Sequence, residues 1–393
     1  KSYTGKVASK SKGTHHEVKV TGLTPNSTYY YAVYQGATKL SADLTLPSGV
    51  KSGTPFRFVV LGDTRTDKVA HANVVTAISL EQKVRYYINT GDLVSSGEIQ
   101  KEWDEFFKIE KLLISHVPLY PVIGNHDEKS GKAPIYKKLF VLPNNSPDPE
   151  EYYSFDYGNV HFIALDGHIN VDLWYECALK LKFYDGCFDD KQAAWIAKDL
   201  KAAAANSKID HIFVLIHMGP YSSKPGRMGY AQMRDLMPTF KTHKVTMVIS
   251  GHDHYYEHGV SPNGIHYAIS GGGGAPLYSI GPPSLLVPHK VIYNKSGYHY
   301  LVFDVNGKYV HVQAKDQKGV KMEEFFFGTP PKPTPDGGVD SAVADAAPAP
   351  DQAGQLDGAS MTPDTGALDT AGSSTDAPVL DANTATADQV ASS

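Results

Sequence analysis

FRFVVLGD, residues 56–63, is an apolar run that stops on a glycine and an aspartate. The same grammar recurs in RYYINTGD (85–92), PLYPVIGNHD (118–127), HIFVLIH (211–217) and VTMVISGHDH (245–254). Short apolar runs of this kind read as buried strands. Each ends on a side chain carrying a free oxygen or nitrogen: Asp63, Asp92, Asn125, His217, and His252 with His254. In open α/β sheets helices cover both faces, so sites form outside the carboxyl ends of strands. The five endings therefore predict an α/β domain whose strand ends converge on a cluster of metal ligands, and hence an enzyme.

Helical periodicity between the runs supports that layout. VVTAISLEQKV, KEWDEFFKIEKLLI and KQAAWIAKDLKAAAAN repeat apolar positions at helical spacing. Near the end, HYLVFDVNGKYVHVQAKDQKGVKMEEFFF alternates at period two, with Asn306-Gly307 and Lys318-Gly319 as hairpin turns. Late antiparallel strands after α/β units predict two packed sheets.

The five signatures in order resemble the calcineurin-like metallophosphoesterases. GHDHYYEH, GNHD and the His-Met-Gly-Pro-Tyr-Ser-Ser stretch from His217 resemble their purple acid phosphatase branch. The resemblance implies two packed mixed sheets flanked by helices over residues 54–328. It also implies two metal ions, iron, zinc or manganese, and hydrolysis of a small phosphorylated substrate by a metal-activated hydroxide. Asp92 would bridge the ions. Asp63 and His254 would hold the first, and Asn125, His217 and His252 the second. His126 would protonate the leaving oxygen or steady the phosphoryl group, a catalytic role shared with Arg65. The same ligands serve phosphomonoesterases, phosphodiesterases and nucleotidases, and a surface binding protein with a degenerate site is a further alternative.

One departure matters. The superfamily's first motif reads Asp-x-His, but this chain has Asp63-Thr64-Arg65. Purple acid phosphatases place a tyrosine three residues after the bridging aspartate, where this chain has Ser95. The first ion therefore lacks its usual extra ligand; a water, His168 or His258 could take that place. Arg65 could fork onto phosphate oxygens, or pair with a carboxylate and hold Asp63. Glu257 and His258 are expected to support the ligands, and His161 to be a sheet residue. Gly271–Gly274 lacks the Lys-[Ser/Thr] of a P-loop and is expected to turn at the rim. Gly-Pro-Tyr-Ser-Ser after His217 and the insert from Asn170 to Phe188 are expected to border the entrance.

Upstream, residues 1–50 carry Gly22-Leu23-Thr24-Pro25-Asn26-Ser27-Thr28-Tyr29-Tyr30-Tyr31, which resembles a fibronectin type III or purple-acid-phosphatase N-terminal β domain. EVKVTGL and TYYYAVY alternate as half-buried strands do, with Pro25-Asn26 between them. So short a segment covers about half of a ~100-residue sandwich, so its first strands are expected to lie upstream of Lys1. Pro47–Pro55 reads as a linker. Residues 329–393 form a low-complexity acidic tail, too poor in apolar residues to offset the entropy of ordering, and are expected to be disordered.

Charge divides along the same line. The net charge is −5, but residues up to Lys332 hold 37 basic against 32 acidic side chains, and the remainder adds ten aspartates. A body at +5 suits anionic substrates and is too weak to argue nucleic-acid binding. No apolar stretch reaches the ~20 residues of a membrane span. Cys177 and Cys187 are close enough to bridge one excursion or to remain two thiols. With the stalk-like tail they point to a secreted, periplasmic or cell-surface protein. Oligomeric state is not legible.

Overall fold

The computed structural model describes residues 3–128, 133–167, 188 and 190–331. The cysteine pair, His168, most of the 170–188 insert and the acidic tail lie outside them. Each apolar run forms a strand: β5 (Phe56–Leu61), β6 (Val84–Asn89), β7 (Leu119–Pro121), β10 (His211–Ile216) and β11 (Met247–Ser250). Ahead of them lie β1 (Thr28–Tyr31), β2 (Tyr34–Gln35), β3 (Thr38–Lys39) and β4 (Leu44–Pro47). The rest are β8 (Tyr153–Tyr157), β9 (Val160–Leu165), β12 (Tyr256–Val260), β13 (His266–Ser270), β14 (Lys290–Lys295), β15 (His299–Asn306), β16 (Tyr309–Asp316) and β17 (Lys321–Phe327). The helices are α1 (Lys68–Ser79), α2 (Gln100–Ile114), α3 (Pro134–Leu139), α4 (Asp190–Ala205) and α5 (Ala231–Thr242).

Two large mixed sheets result, as the strand pattern predicted. One has the order β17-β16-β15-β5-β6-β7, the other β14-β12-β13-β11-β10-β9-β8. β5, β6 and β7 run parallel, as do β9, β10, β11 and β13. Their inner faces meet through aromatic rings: Phe58 packs edge-on to Phe162 at 5.3 Å, and Tyr120 stacks on Phe155 at 4.0 Å. Such contacts add to the area that the rings remove from water. Outer faces are covered by helices. Val74 and Ile78 of α1 and Leu113 of α2 bury Val59, Leu61 and Tyr87. Trp195, Ile196 and Leu200 of α4 and Met233, Met237 and Phe240 of α5 bury the outer residues of β9, β10 and β11.

Local signals explain where elements begin. α1 starts earlier than the periodicity of VVTAISLEQKV suggests, because the Asp67 carboxylate accepts from the amides of Val69 and Ala70 at 3.0 Å. Asn306-Gly307 closes the β15–β16 hairpin, with Gly307 at φ +58°. EVKVTGL forms no ladder: residues 17–22 are exposed, and no described strand lies beside them to satisfy an extended backbone. β1 instead pairs with β4, and the Tyr29 hydroxyl accepts from the Thr24 amide at 2.6 Å. The expected linker is anchored, since Ser48 is buried and its carbonyl accepts from Arg85 at 2.7 Å.

Candidate metal centre

Both sheets deliver their parallel strand ends to one place. β5, β6 and β7 bring Asp63, Asp92 and Asn125 from one sheet, while β10 and β11 bring His217, His252 and His254 from the other. The turns are sharp. Asp63, Asp92 and His252 hold φ of 56°, 54° and 68°, a left-handed conformation that costs a non-glycine residue ~1–3 kcal/mol. Glycines permit the close approach of these turns. A Cβ at Gly124 would lie 2.2 Å from the Asp92 amide nitrogen, so no larger residue fits.

Backbone carbonyls aim three imidazoles. His217 Nδ1 donates to the Thr90 carbonyl at 2.9 Å, His254 Nδ1 to Pro276 at 2.7 Å, and His126 Nδ1 to Ser95 at 2.8 Å. A carbonyl only accepts, so each Nδ1 carries the hydrogen and each Nε2 is left to face the site. His252 is fixed at its other end: Nε2 meets the Tyr230 hydroxyl at 2.8 Å, which turns Nδ1 inward.

The atoms that converge are almost all acceptors. His217 Nε2 lies 3.2 Å from Asp92 Oδ1, 3.2 Å from Asn125 Oδ1 and 3.2 Å from His252 Nδ1; the last is 3.1 Å from Asn125 Oδ1. A second cluster adjoins. Ligand atoms of Asp63, Asp92 and His254 lie within 4.8 Å of one another. Asp63 Oδ1 is buried without a hydrogen bond and sits 3.3 Å from His254 Nε2. Acceptor atoms at such distances need a positive charge between them, a proton on His217 or a bound cation, so the residues fit a metal centre. The electrostatics agree. Burial alone would deter a proton from His217, yet Asp92 and Asp63 raise it to about 9. Burial would lift Asp92, but His217 and His126 hold its carboxyl well below the usual range.

Arg65 pairs with a carboxylate, though not with Asp63. Its Nε donates to Asp92 Oδ2 at 3.1 Å, and its Nη2 reaches His254 Nε2 at 3.4 Å. His126 stands beside Asp92, with Nε2 4.0 Å from Oδ2 and its side chain 25% exposed. Other expectations are corrected. His258 bonds Glu323 at 2.9 Å and His266 at 3.0 Å, committing both ring nitrogens away from the site. Glu257 accepts from the Tyr267 hydroxyl at 2.9 Å and touches no candidate ligand directly. Gly271–Gly274 is buried behind Asp63, not at a rim: Gly273 N donates to the Gly62 carbonyl at 2.8 Å. Gly219–Ser223 is buried too, and the exposed border is the segment 224–230 that follows it. His161 is a sheet residue, as expected.

Some working residues escape a reading by motif. Asp127 closes GNHD, and its carboxylate accepts from Leu93, Val94 and Gly124 at 2.9, 3.2 and 2.9 Å, tying the Asp92 turn to the Asn125 turn. Its place in the motif was a usable signal. Tyr278 stacks on His254 at 4.0 Å, and Lys224 lies 3.5 Å over the centre of the same ring. Nothing local marks these two.

The calcineurin-like phosphoesterase family model matches residues 56–256, just over half of the chain and the span that carries every residue of the cluster. The chain belongs to the calcineurin-like phosphoesterase family. Among curated relatives, purple acid phosphatase 15 of Arabidopsis thaliana is 27% identical over 307 residues, covering 67% of this chain and 54% of the relative. An uncharacterised protein of Mycobacterium tuberculosis is 28% identical over 267 residues, covering 61% and 49%. The chain thus spans about half the length of these relatives. A purple acid phosphatase from yellow lupin (Lupinus luteus) seeds shares the fold, with a TM-score of 0.64 at 19% identity over 78% of this chain and 60% of that one. No described helix is long and apolar enough to cross a membrane.

Proposed function

We propose that this chain hydrolyses phosphomonoesters at a metal centre held by Asp63, Asp92, Asn125, His217, His252 and His254. The observation that carries the reading is the convergence of six potential ligand side chains from five strand ends, with their oxygen and nitrogen atoms 3.1–3.3 Å apart. Cations bound there supply Lewis acidity and a hydroxide nucleophile near neutral pH. Asp92 turns Oδ1 toward the Asn125–His217–His252 group and Oδ2 toward Arg65, so one carboxylate serves both clusters and can bridge two ions. The Thr90 and Pro276 carbonyls hold His217 and His254 in the tautomer that a cation needs, and the Tyr230 hydroxyl orients His252.

His126 donates its Nδ1 hydrogen to Ser95 and turns Nε2 toward Asp92, so as the imidazolium it is placed to give its Nε2 proton to the departing alkoxide. Arg65 presents a guanidinium that can move onto phosphate oxygens when Asp92 turns to a metal. Replacement of Arg65 by Lys should weaken substrate affinity, and an unchanged affinity would sink that role. Lys224, half-buried in the bordering segment, favours anionic substrates, whereas Arg227 is already paired with Asp253 at 2.6 Å. The stalk-like composition of the tail supports a place outside the cytoplasm, to be tested by fractionating cells.

The test is hydrolysis of p-nitrophenyl phosphate and its bis-ester after loading with Mn²⁺, Zn²⁺ or iron, against a chelated control. Chelator-sensitive turnover favouring the monoester supports the proposal. Preference for the diester would move the assignment to a phosphodiesterase. Metal uptake without turnover of either would point to a binding protein.

A further inference from the structure

The two donor groups are not equivalent. Around Asn125, His217, His252 and Asp92 Oδ1, the contacts of 3.1–3.2 Å join atoms that can all serve as lone-pair donors. Around Asp63, Asp92 Oδ2 and His254 a cation is already in residence, the Arg65 guanidinium, at 3.1 Å from Asp92 and 3.4 Å from His254. The family resemblance places a metal-binding histidine at this position, so the substitution removes a ligand and adds a competing charge. Arg65 nevertheless leaves Asp63 Oδ1 without a hydrogen bond although Asp63 is fully buried, so the guanidinium fills the cluster incompletely.

The arm that carries Arg65 can release it. The Arg65 amide donates to the Asp92 carbonyl at 3.3 Å, which fixes the backbone, while Nη1 donates to the hydroxyl of exposed Thr66 at 3.2 Å. The side chain is 14% exposed, so it opens to the mouth of the site and is not sealed in the core.

We propose that Arg65 is a built-in competitor for one of two cations. An ion enters the Asn125–His217–His252 group first; the Asp63–His254 group accepts an ion only when the guanidinium leaves Asp92, a move that an oxyanion of the substrate favours. Binding of the second ion and of phosphate are then coupled, each strengthening the other by the same factor. The proposal rests on the metal-centre reading above but not on the identity of the ester. A charge-assisted hydrogen bond to a buried carboxylate sets the size of the competition at roughly 10- to 100-fold in the affinity of the second ion.

The experiment is calorimetric titration of metal-stripped full chain with Mn²⁺, with metal counted by mass spectrometry and thermal melting recorded for every variant. Wild-type protein should bind one ion tightly and a second ion 10- to 100-fold more weakly. Inorganic phosphate should narrow the gap. Arg65→Ala should narrow it without phosphate, and Arg65→His more so because it adds a ligand. His252→Ala should abolish the tight step and His254→Ala the weak one. Two ions of equal affinity in wild-type protein would overturn the proposal, as would an unchanged gap in folded Arg65→Ala. Stepwise loading without ester turnover would uphold it and refute the phosphatase reading; turnover with two equal ions would do the reverse.

Discussion

Three of the six candidate ligand residues, Asp63, Asp92 and His252, sit in left-handed backbone, a strained conformation that persists where the surroundings hold it. Asp127 is one such hold. Its carboxylate takes three amide hydrogens from two different turns, and Asp127→Ala would leave those buried donors unpaired. Loss of about 3 kcal/mol is expected, read as a lower melting temperature together with weaker metal uptake. His126 is a different case. It contacts Asp92 from the open side, so His126→Asn should keep the metal content while kcat falls ~10²- to 10⁴-fold. Parallel measurement of metal and rate separates the two, since loss of metal with loss of rate would make His126 a ligand support. Residue identities were the most legible layer: motif letters named all six ligand candidates and His126. Tyr230, Thr90 and Pro276 were not legible, because a hydroxyl or carbonyl becomes a partner only through proximity.

At the level of elements, the strand ends and the Asp67 cap of α1 followed local chemistry, while support between elements did not. His161 on β9 illustrates this. It was readable as a sheet residue, yet its two partners come from elsewhere: Asp156 on β8 at 2.7 Å and Asp199 on α4 at 2.8 Å. Burial disfavours its charge, but the two carboxylates outweigh that and raise it to about 9. A histidine whose folded value lies above the ordinary ~6.5 stabilises the fold fully below that pH, and the contribution disappears as pH rises through the folded value. The melting temperature of wild-type protein should therefore exceed that of His161→Gln by most near about pH 6, and the gap should close by about pH 10. A gap independent of pH would show that packing, not charge, is what the residue supplies. The alternation of EVKVTGL shows the opposite failure. Period two signals a strand only where a neighbour exists to pair with it, and none of the described residues provides one.

For the whole molecule, the centre joins the two sheets, so its state should register in global stability. Metal-stripped protein should melt at a lower temperature than loaded protein; a cation at 100 times its Kd adds about 2.7 kcal/mol if the unfolded chain does not bind it. Equal melting with and without chelator, at confirmed metal removal, would place the cluster outside the load of the fold. The sequence by itself determined the strand runs, their polar endings, the two-sheet class and the family, because hydrophobic period and turn chemistry are local. Only the tertiary structure decided that β15 lies against β5 from more than two hundred residues away, and that Asp92 is shared by Arg65 and His217. It also decided that Glu257, His258 and Gly271–Gly274 stand behind the site instead of in it. The physical reason is that a strand's pattern specifies which face is buried but not which neighbour buries it. That choice belongs to the packing of Phe58, Tyr86, Phe162 and Phe213 between two sheets, and the site forms wherever that packing brings the strand ends together.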